Sequence, residues 1–326
     1  MKVLLTGASG FVGSHILDSL RARAIPTAIL LRATSSRRFF EKHLKDVEIR
    51  PGSINDPESL RKAVVGITHV IHCAGCTKAR RISEFFEINQ AGTRNLLDAL
   101  NAQPGIVQRF IHISSLAAAG PSVPGAAVRE SDPPHPVSAY GRSKLAAEEE
   151  VRNQCRAEFV ILRPPGVYGP RDAEFLRLFQ AVKRHILPRP SSAQSLSMVY
   201  VKDLAEAAVT CLEHTAAAGK TYFVAAREVI TARLMAEEIA GQMKVLTLPF
   251  PLPTAMLWPI CFFQEIMTRL TGNANVLSLQ KFTELRASGW VCDPSLLERD
   301  IGYRCSTMLA QGIAETLKWY REEQWL

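Results

Sequence analysis

The stretch KVLLTGASGFVGSH, Lys2 to His15, constrains this chain more than any other. An apolar run ending at Thr6 reads as a buried strand, and a helical pattern opens at Phe11. Between and within them stand Gly7, Gly10 and Gly13, spaced by three. A strand that turns at once into a helix packed against it needs glycine where the backbone turns and where the two elements touch. Gly7 permits the tight turn, Gly10 lets the backbone approach a pyrophosphate, and Gly13 lets the helix lie close to the strand. The spacing differs from the commonest G-x-G-x-x-G fingerprint, but the physics is shared. Unpaired N–H groups and the positive dipole end at the helix start suit phosphate. Gly7, Ser9, Gly10, Phe11, Val12 and Gly13 are therefore the expected cradle of a dinucleotide.

The same alternation continues along the chain. Short apolar runs (KVLLT, TAILL, VEIR, HVIH, RFIHIS, FVILR, TYFVA) are separated by helical stretches opening near Phe11, Pro57, Glu84, Ala139, Ala173 and Lys202. Strands alternating with helices build βαβ units and a parallel sheet. Nearly continuous apolar strands are those of a sheet covered on both faces. The expected fold class is α/β, a doubly wound parallel sheet. A chain of 326 residues with 47% hydrophobic composition can add a smaller lobe. We expect a dinucleotide-binding domain at 1–170, completed by 198–226. A mostly helical substrate lobe is expected from 171–197 and 227–326, lying over the carboxyl edge of the sheet.

The net charge of +8 is dispersed, without a dense basic run carrying interleaved aromatics, so nucleic acid is not an expected partner. A basic surface does suit an anionic cofactor or substrate. Seven irregularly spaced cysteines argue against a disulfide framework. Cys73 and Cys76 form a C-x-x-C with no second pair or histidine cluster at zinc spacing, and no metal is expected. No leader pattern opens the chain, so the expectation is cytoplasmic. Val245 to Phe263 carries no charge but contains four prolines, which argue against an unbroken spanning helix. PFPLP reads as extended and Thr254 to Leu270 as a helix. A lid or core helix is the favoured reading; an apolar substrate wall, a dimer surface and a membrane-surface patch are its alternatives.

Two further places carry chemistry. In SAYGRSK, Tyr140 and Lys144 stand one helical turn apart and share a face. A free phenol has a pKa of ~10, and a nearby ammonium favours the phenolate. At the end of the second strand, where an acid would bond the free 2′-hydroxyl of NAD, stands Arg32, with Ser35, Arg37 and Arg38 behind it. A guanidinium there suits a 2′-phosphate, which favours NADP; an arginine stacked on adenine would tolerate either cofactor.

Six motifs in order make the chain resemble the extended short-chain dehydrogenase/reductase family over residues 1 to about 225: TGASGFVG, HCAG, INQAGTRNLLDA, HISSLAAAG, YGRSK, and LRPPGVYGP with VYVKDLAEA. The resemblance implies a Rossmann fold, with Tyr140 as acid/base, Lys144 tuning it and bonding the nicotinamide ribose, and Ser115 bonding the reacting oxygen. It assigns cofactor contacts to Cys73, Ala74, Gly75, Asn89, Pro164 and Val167, and to Ser53 and Ile54 after the third strand. It also implies a homodimer through helices near 84–102 and 140–155. Two residues depart from the pattern. Ser53 stands where an acid often contacts adenine, and Gly166 where sugar-nucleotide members often carry asparagine.

The resemblance nearest to these features is to the dihydroflavonol reductase and 3β-hydroxysteroid dehydrogenase branch. The expected function is hydride transfer between NADP, or NAD, and a secondary alcohol or ketone. The alternative is a redox-neutral sugar-nucleotide epimerase, with Arg171 on a diphosphate. Leu116 and Ala117 after Ser115 disfavour a dehydratase, and the intact Ser115, Tyr140 and Lys144 disfavour a non-enzymatic sensor.

Overall fold

The computed structural model describes residues 1–103, 107–190, 194–252 and 279–326. The expected helix from Thr254 to Leu270, with Trp258, Phe262 and Phe263, lies outside the described residues.

Seven parallel strands form the main sheet: β1 (Val3–Thr6), β2 (Thr27–Leu31), β3 (Glu48–Pro51), β4 (His69–His72), β5 (Arg109–Ile113), β6 (Glu158–Arg163) and a last strand, Lys220–Phe223. Their order is Lys220–Phe223, β6, β5, β4, β1, β2, β3. The chain moves outward from β1 in one direction to β3, then crosses back to β4 on the other side. That reversal opens a crevice at the carboxyl ends of β1 and β4, where open α/β sheets bind ligands.

Strand periodicity explains why both faces are covered. Val3 and Leu5 enter one core with Ile16, Leu17 and Leu204, while Leu4 enters the other with Val70, Leu96 and Val151. The first core packs helices Phe11–Ala22 and Val201–Thr210 against the sheet, the second packs helices Gly92–Asn101 and Ala139–Gln154.

The structure departs from the sequence reading in three places. The strand around Met198 (Ser195–Tyr200) does not return to the main sheet; it pairs with Gly166–Tyr168, Val229–Thr231 and Gly289–Trp290 in a second sheet. The helix expected at Ala173 opens at Leu176, after Asp172 has turned the chain by accepting from the Glu174 N–H. The helix expected near Glu84 is Ile82–Phe85, then a π turn over Phe86–Ala91, then Gly92–Asn101. Residues 249–252 of PFPLP are extended as expected, in the strand Leu248–Leu252, paired with Ile186–Pro190; residue 253 lies outside the described residues.

Candidate active site

The glycine loop is built as its spacing requires. Gly7 has φ +80, and a Cβ there would stand 2.7 Å from the Ala74 nitrogen on the neighbouring strand end. A Cβ on Gly13 would stand 2.1 Å from the Gly7 carbonyl oxygen, so strand and helix touch only because both lack one. Gly10 begins helix Phe11–Ala22 with no side-chain cap and no acid in the first turn, leaving the N–H groups there to an incoming anion. Ser9, Phe11 and Val12 are partly exposed at this helix start. Arg32 and Arg37 are exposed just past β2. This cradle fits a dinucleotide.

Beside it, the end of β4 is held by a chain of hydrogen bonds. Thr6 Oγ1 accepts from the Ala74 N–H and lies 2.8 Å from His72 Nδ1. His72 Nε2 lies 3.0 Å from Thr93 Oγ1, and Thr93 spends its proton on the Asn89 carbonyl. His72 Nε2–H must therefore donate to Thr93, and Thr6 to His72 Nδ1. Burial keeps His72 neutral, down to about 3. The Asn89 side chain accepts from the Cys76 N–H at 2.7 Å and donates to the Cys76 carbonyl and Ser143 Oγ. It is buried and fixes the Cys73–Cys76 loop to helix Ala139–Gln154. The π turn places its side chain there, the usual setting of such turns. Gly75 lies over it: a Cβ would stand 3.1 Å from Asn89 Oδ1 and 4.0 Å from Lys144 Nζ. Burial pushes the Cys73 thiol up to about 12.

Tyr140 and Lys144 occupy one stripe of helix Ala139–Gln154, as expected. Ser138 caps the helix, its Oγ accepting from the Gly141 N–H and donating to Glu284 at 2.7 Å. Gly141 allows the first turn to rest on the Ala117 carbonyl, where a Cβ would come within 2.3 Å. This close approach brings Tyr140 towards Ser115. Burial raises the phenol above its ordinary value; the Ser115 hydroxyl pulls it down, and Glu284, Glu174 and Cys76 raise it further. The Tyr140 ring meets Phe85 edge-on at 6.0 Å.

Lys144 is 5% exposed and donates to the Ile113 carbonyl at 2.7 Å. Burial brings its ammonium down to about 8, with Cys73 and Glu148 pulling the other way. Its charge acts on Cys73, His72 and His112.

Glu148, one turn beyond Lys144, had no role in the sequence reading. It is wholly buried and takes Ser114 Oγ at 2.5 Å, Arg163 Nε at 2.9 Å and Nη2 at 2.6 Å, and Arg152 at 2.8 Å. Ser114 thus serves the scaffold, while Ser115 serves the site. The i, i+4, i+8 spacing of Tyr140, Lys144 and Glu148 was the available signal.

The remaining predicted residues fall nearby. Ser53 and Ile54 lie past β3; the Ser53 hydroxyl accepts from the Asn55 N–H, and Ile54 packs on Gly92. Pro164 is buried with its carbonyl on the Leu116 N–H, and Val167 is half-buried against the core. Gly166 abuts Met198, whose sulfur would stand 2.7 Å from an added Cβ. Arg171, expected on a diphosphate, instead donates to Asp18 at 2.7 Å and lies over the Phe39 ring. Its backbone has φ +72, and the His15 ring anchors the preceding Pro170 carbonyl at 2.9 Å.

The model of the NAD dependent epimerase/dehydratase family matches residues 3–225. The chain is 30% identical to the ceramide reductase of Caulobacter vibrioides, over 99% of this chain and 96% of that protein. It is also 30% identical to the UDP-glucose 4-epimerase of Vibrio cholerae, over 84% and 87%. Among solved structures, the UDP-glucose 4-epimerase of Thermus thermophilus in complex with NAD aligns with a TM-score of 0.77 and 27% identity, covering 98% of this chain and 99% of that one.

Proposed function

The chain belongs to the NAD dependent epimerase/dehydratase family, and from that membership we propose that it is a net oxidoreductase, interconverting a secondary alcohol and a ketone on an apolar substrate. The observation that carries this reading is the grouping of Tyr140, Ser115 and buried Lys144 close to the crevice where the sheet order reverses, with Ser115 lowering the phenol. The backbone from Gly7 to Gly13, the Cys73–Gly75 segment and Lys144 would hold the dinucleotide. The nicotinamide, when bound, supplies or accepts the hydride. Tyr140 gives its phenolic proton to the nascent alkoxide in reduction, or takes the alcohol proton in oxidation. Ser115 donates to the same oxygen and holds it against the phenol. Lys144 keeps a positive charge beneath the site at pH below about 8, which favours loss of the phenolic proton once substrate is in place.

Two features favour net redox chemistry over epimerisation. Met198 fills the space next to Gly166, where an asparagine side chain would need room. Arg171 is tied to Asp18 and Phe39 rather than offered to a diphosphate. One relative that spans nearly the whole chain is named a ceramide reductase, in keeping with an apolar substrate. The exposed Arg32 and Arg37 support NADP as the partner cofactor. We also propose a homodimer through helices Gly92–Asn101 and Ala139–Gln154, to be checked by light scattering.

The test is to denature freshly purified protein and weigh any nucleotide released. Empty protein that binds NADPH better than NADH, and loses that preference in Arg32→Ala, supports the reductase reading. Tightly retained NAD near one per chain overturns it in favour of an enzyme that recycles its own cofactor.

A further inference from the structure

The segment that leads into the strand Leu248–Leu252 carries large apolar side chains into solvent. Leu246, Leu248 and Phe250 alternate with Thr247 and Pro249, so the three apolar side chains leave one side of the chain. That side faces solvent: Leu246 is 91% exposed, Leu248 76% and Phe250 55%. Ile186, the register partner of Leu248 on the neighbouring strand, is 40% exposed, while Leu187 on the opposite side is buried. The row is firmly built. The Leu246 carbonyl accepts from His185 Nδ1 at 2.7 Å, and the Leu248 N–H donates to the His185 carbonyl at 2.8 Å. Scattered exposed apolar residues are ordinary, but a fixed row of large ones marks an interaction surface.

Its electrostatic setting identifies the partner. Helices Leu176–Lys183 and Ala232–Met243 both end at this ribbon and bring Lys183, Arg184 and Lys244 to its border. All three are exposed, and none has an ion-pair partner among the described residues. The chain has no acid from Phe175 to Lys202, nor from Ile239 to Phe263. An isologous contact with a second copy would set these cations against their own images. A bilayer with anionic headgroups meets both features at once: apolar side chains enter the acyl boundary, and lysine and arginine stay at the phosphates. No helix of the described residues is long and apolar enough to cross a membrane, so the contact is with the surface.

We propose that the ribbon of Ile186, Leu246, Leu248 and Phe250, bordered by Lys183, Arg184 and Lys244, docks this protein onto an anionic lipid surface. Docking does not depend on which reaction the site performs.

The experiment is co-sedimentation of the full chain with vesicles of phosphatidylcholine alone, or of phosphatidylcholine containing phosphatidylglycerol. The expected result is binding to the anionic vesicles that weakens with salt. It should fall about tenfold or more in Leu246→Ser/Phe250→Ser, and about fivefold for each charge removed in Lys183→Gln/Arg184→Gln. NADPH binding and the melting temperature should stay unchanged in both. Binding no better than to neutral vesicles, or binding that both variants keep, overturns the proposal. So does a dimer that Leu246→Ser/Phe250→Ser splits without any vesicle binding, which would make this face a contact between copies.

Discussion

Glu148 and Arg163 form a two-bond ion pair from which water is excluded, 2.6 and 2.9 Å between nitrogen and oxygen. The pair joins helix Ala139–Gln154 to the carboxyl end of β6, and Ser114 adds the end of β5. It fixes the helix register on which the distance from Tyr140 to Ser115 depends. A fully stranded buried charge costs about 3–5 kcal/mol, an upper bound here because Arg152 and Ser114 still hold Glu148. Arg163→Met should lose stability within that bound in urea denaturation at pH 7. The Glu148 carboxyl lies below its ordinary value, because hydrogen bonds and charge from Arg163 outweigh the opposing burial. Its contribution is therefore full above the unfolded carboxylate value of ~4.3 and lost as pH falls through the folded one. Arg163→Met should flatten that acid limb of the stability profile.

Lys144 presents the opposite balance. Burial depresses its ammonium to about 8, so the folded protein binds the proton less well than the unfolded chain. Stability contributed here must rise with pH between about 8 and the unfolded value of ~10.4. Lys144→Met removes the buried charge and should stabilise the protein at pH 7 by roughly 1 kcal/mol while turnover is lost, a trade of stability for function. A thermal melt beside an activity assay checks both, and a variant less stable than the parent would contradict the argument.

Tyr140→Phe keeps the ring against Phe85 but removes the proton that moves. Turnover should fall to background while NADPH binding, read by fluorescence, is unchanged. Ser115→Ala should lower kcat by about 10²–10³. Ser115 also accepts from the Ala117 N–H, at the start of the short helix Leu116–Ala119, so a small loss of stability should accompany it. Ser114→Ala, by contrast, should show its effect in stability more than in kcat.

What the sequence makes legible follows from range. The glycine loop is a local requirement of one strand meeting one helix, and Tyr140 and Lys144 are one turn apart, so both can be read from spacing. Six ordered motifs fix the sheet. The Arg163–Glu148 pair joins a strand end to a helix, and nothing local in either segment announces it. Met198 against Gly166 depends on the strand Ser195–Tyr200, which the sequence reading had sent to the main sheet, pairing with a short strand at Gly166–Tyr168. Arg171 is drawn to Asp18 by a left-handed turn that sequence spacing does not show. The side-chain bonds of Asn89 to Cys76 and Ser143 depend on the π turn over Phe86–Ala91, which no local sequence signal announces.

The segment behind Arg32 is held from the far end of the chain. Residues 36–40 precede only a single short turn, Glu41–His43, so their path depends on what they touch. Arg38 lies 5.2 Å from the Trp325 ring centroid and bonds Glu323 at 3.2 Å, and Phe39 packs on Trp319 and Trp325 at 6.3 and 6.2 Å. Trp325 is itself stacked on Tyr320, whose hydroxyl donates to the Asp172 carbonyl. Trp325→Ala removes the ring beneath Arg38 and frees the peptide that carries Arg37. The direct loss is modest, about 0.5–1 kcal/mol from the cation–π contact plus the packing around it. The larger consequence is positional, since a guanidinium reads a phosphate only when its fork is held in place. KM for NADPH should rise several-fold while kcat stays near the parent value and KM for NADH hardly moves. Initial rates with the two cofactors decide it: an equal rise for both would mean that the tail supports only the fold.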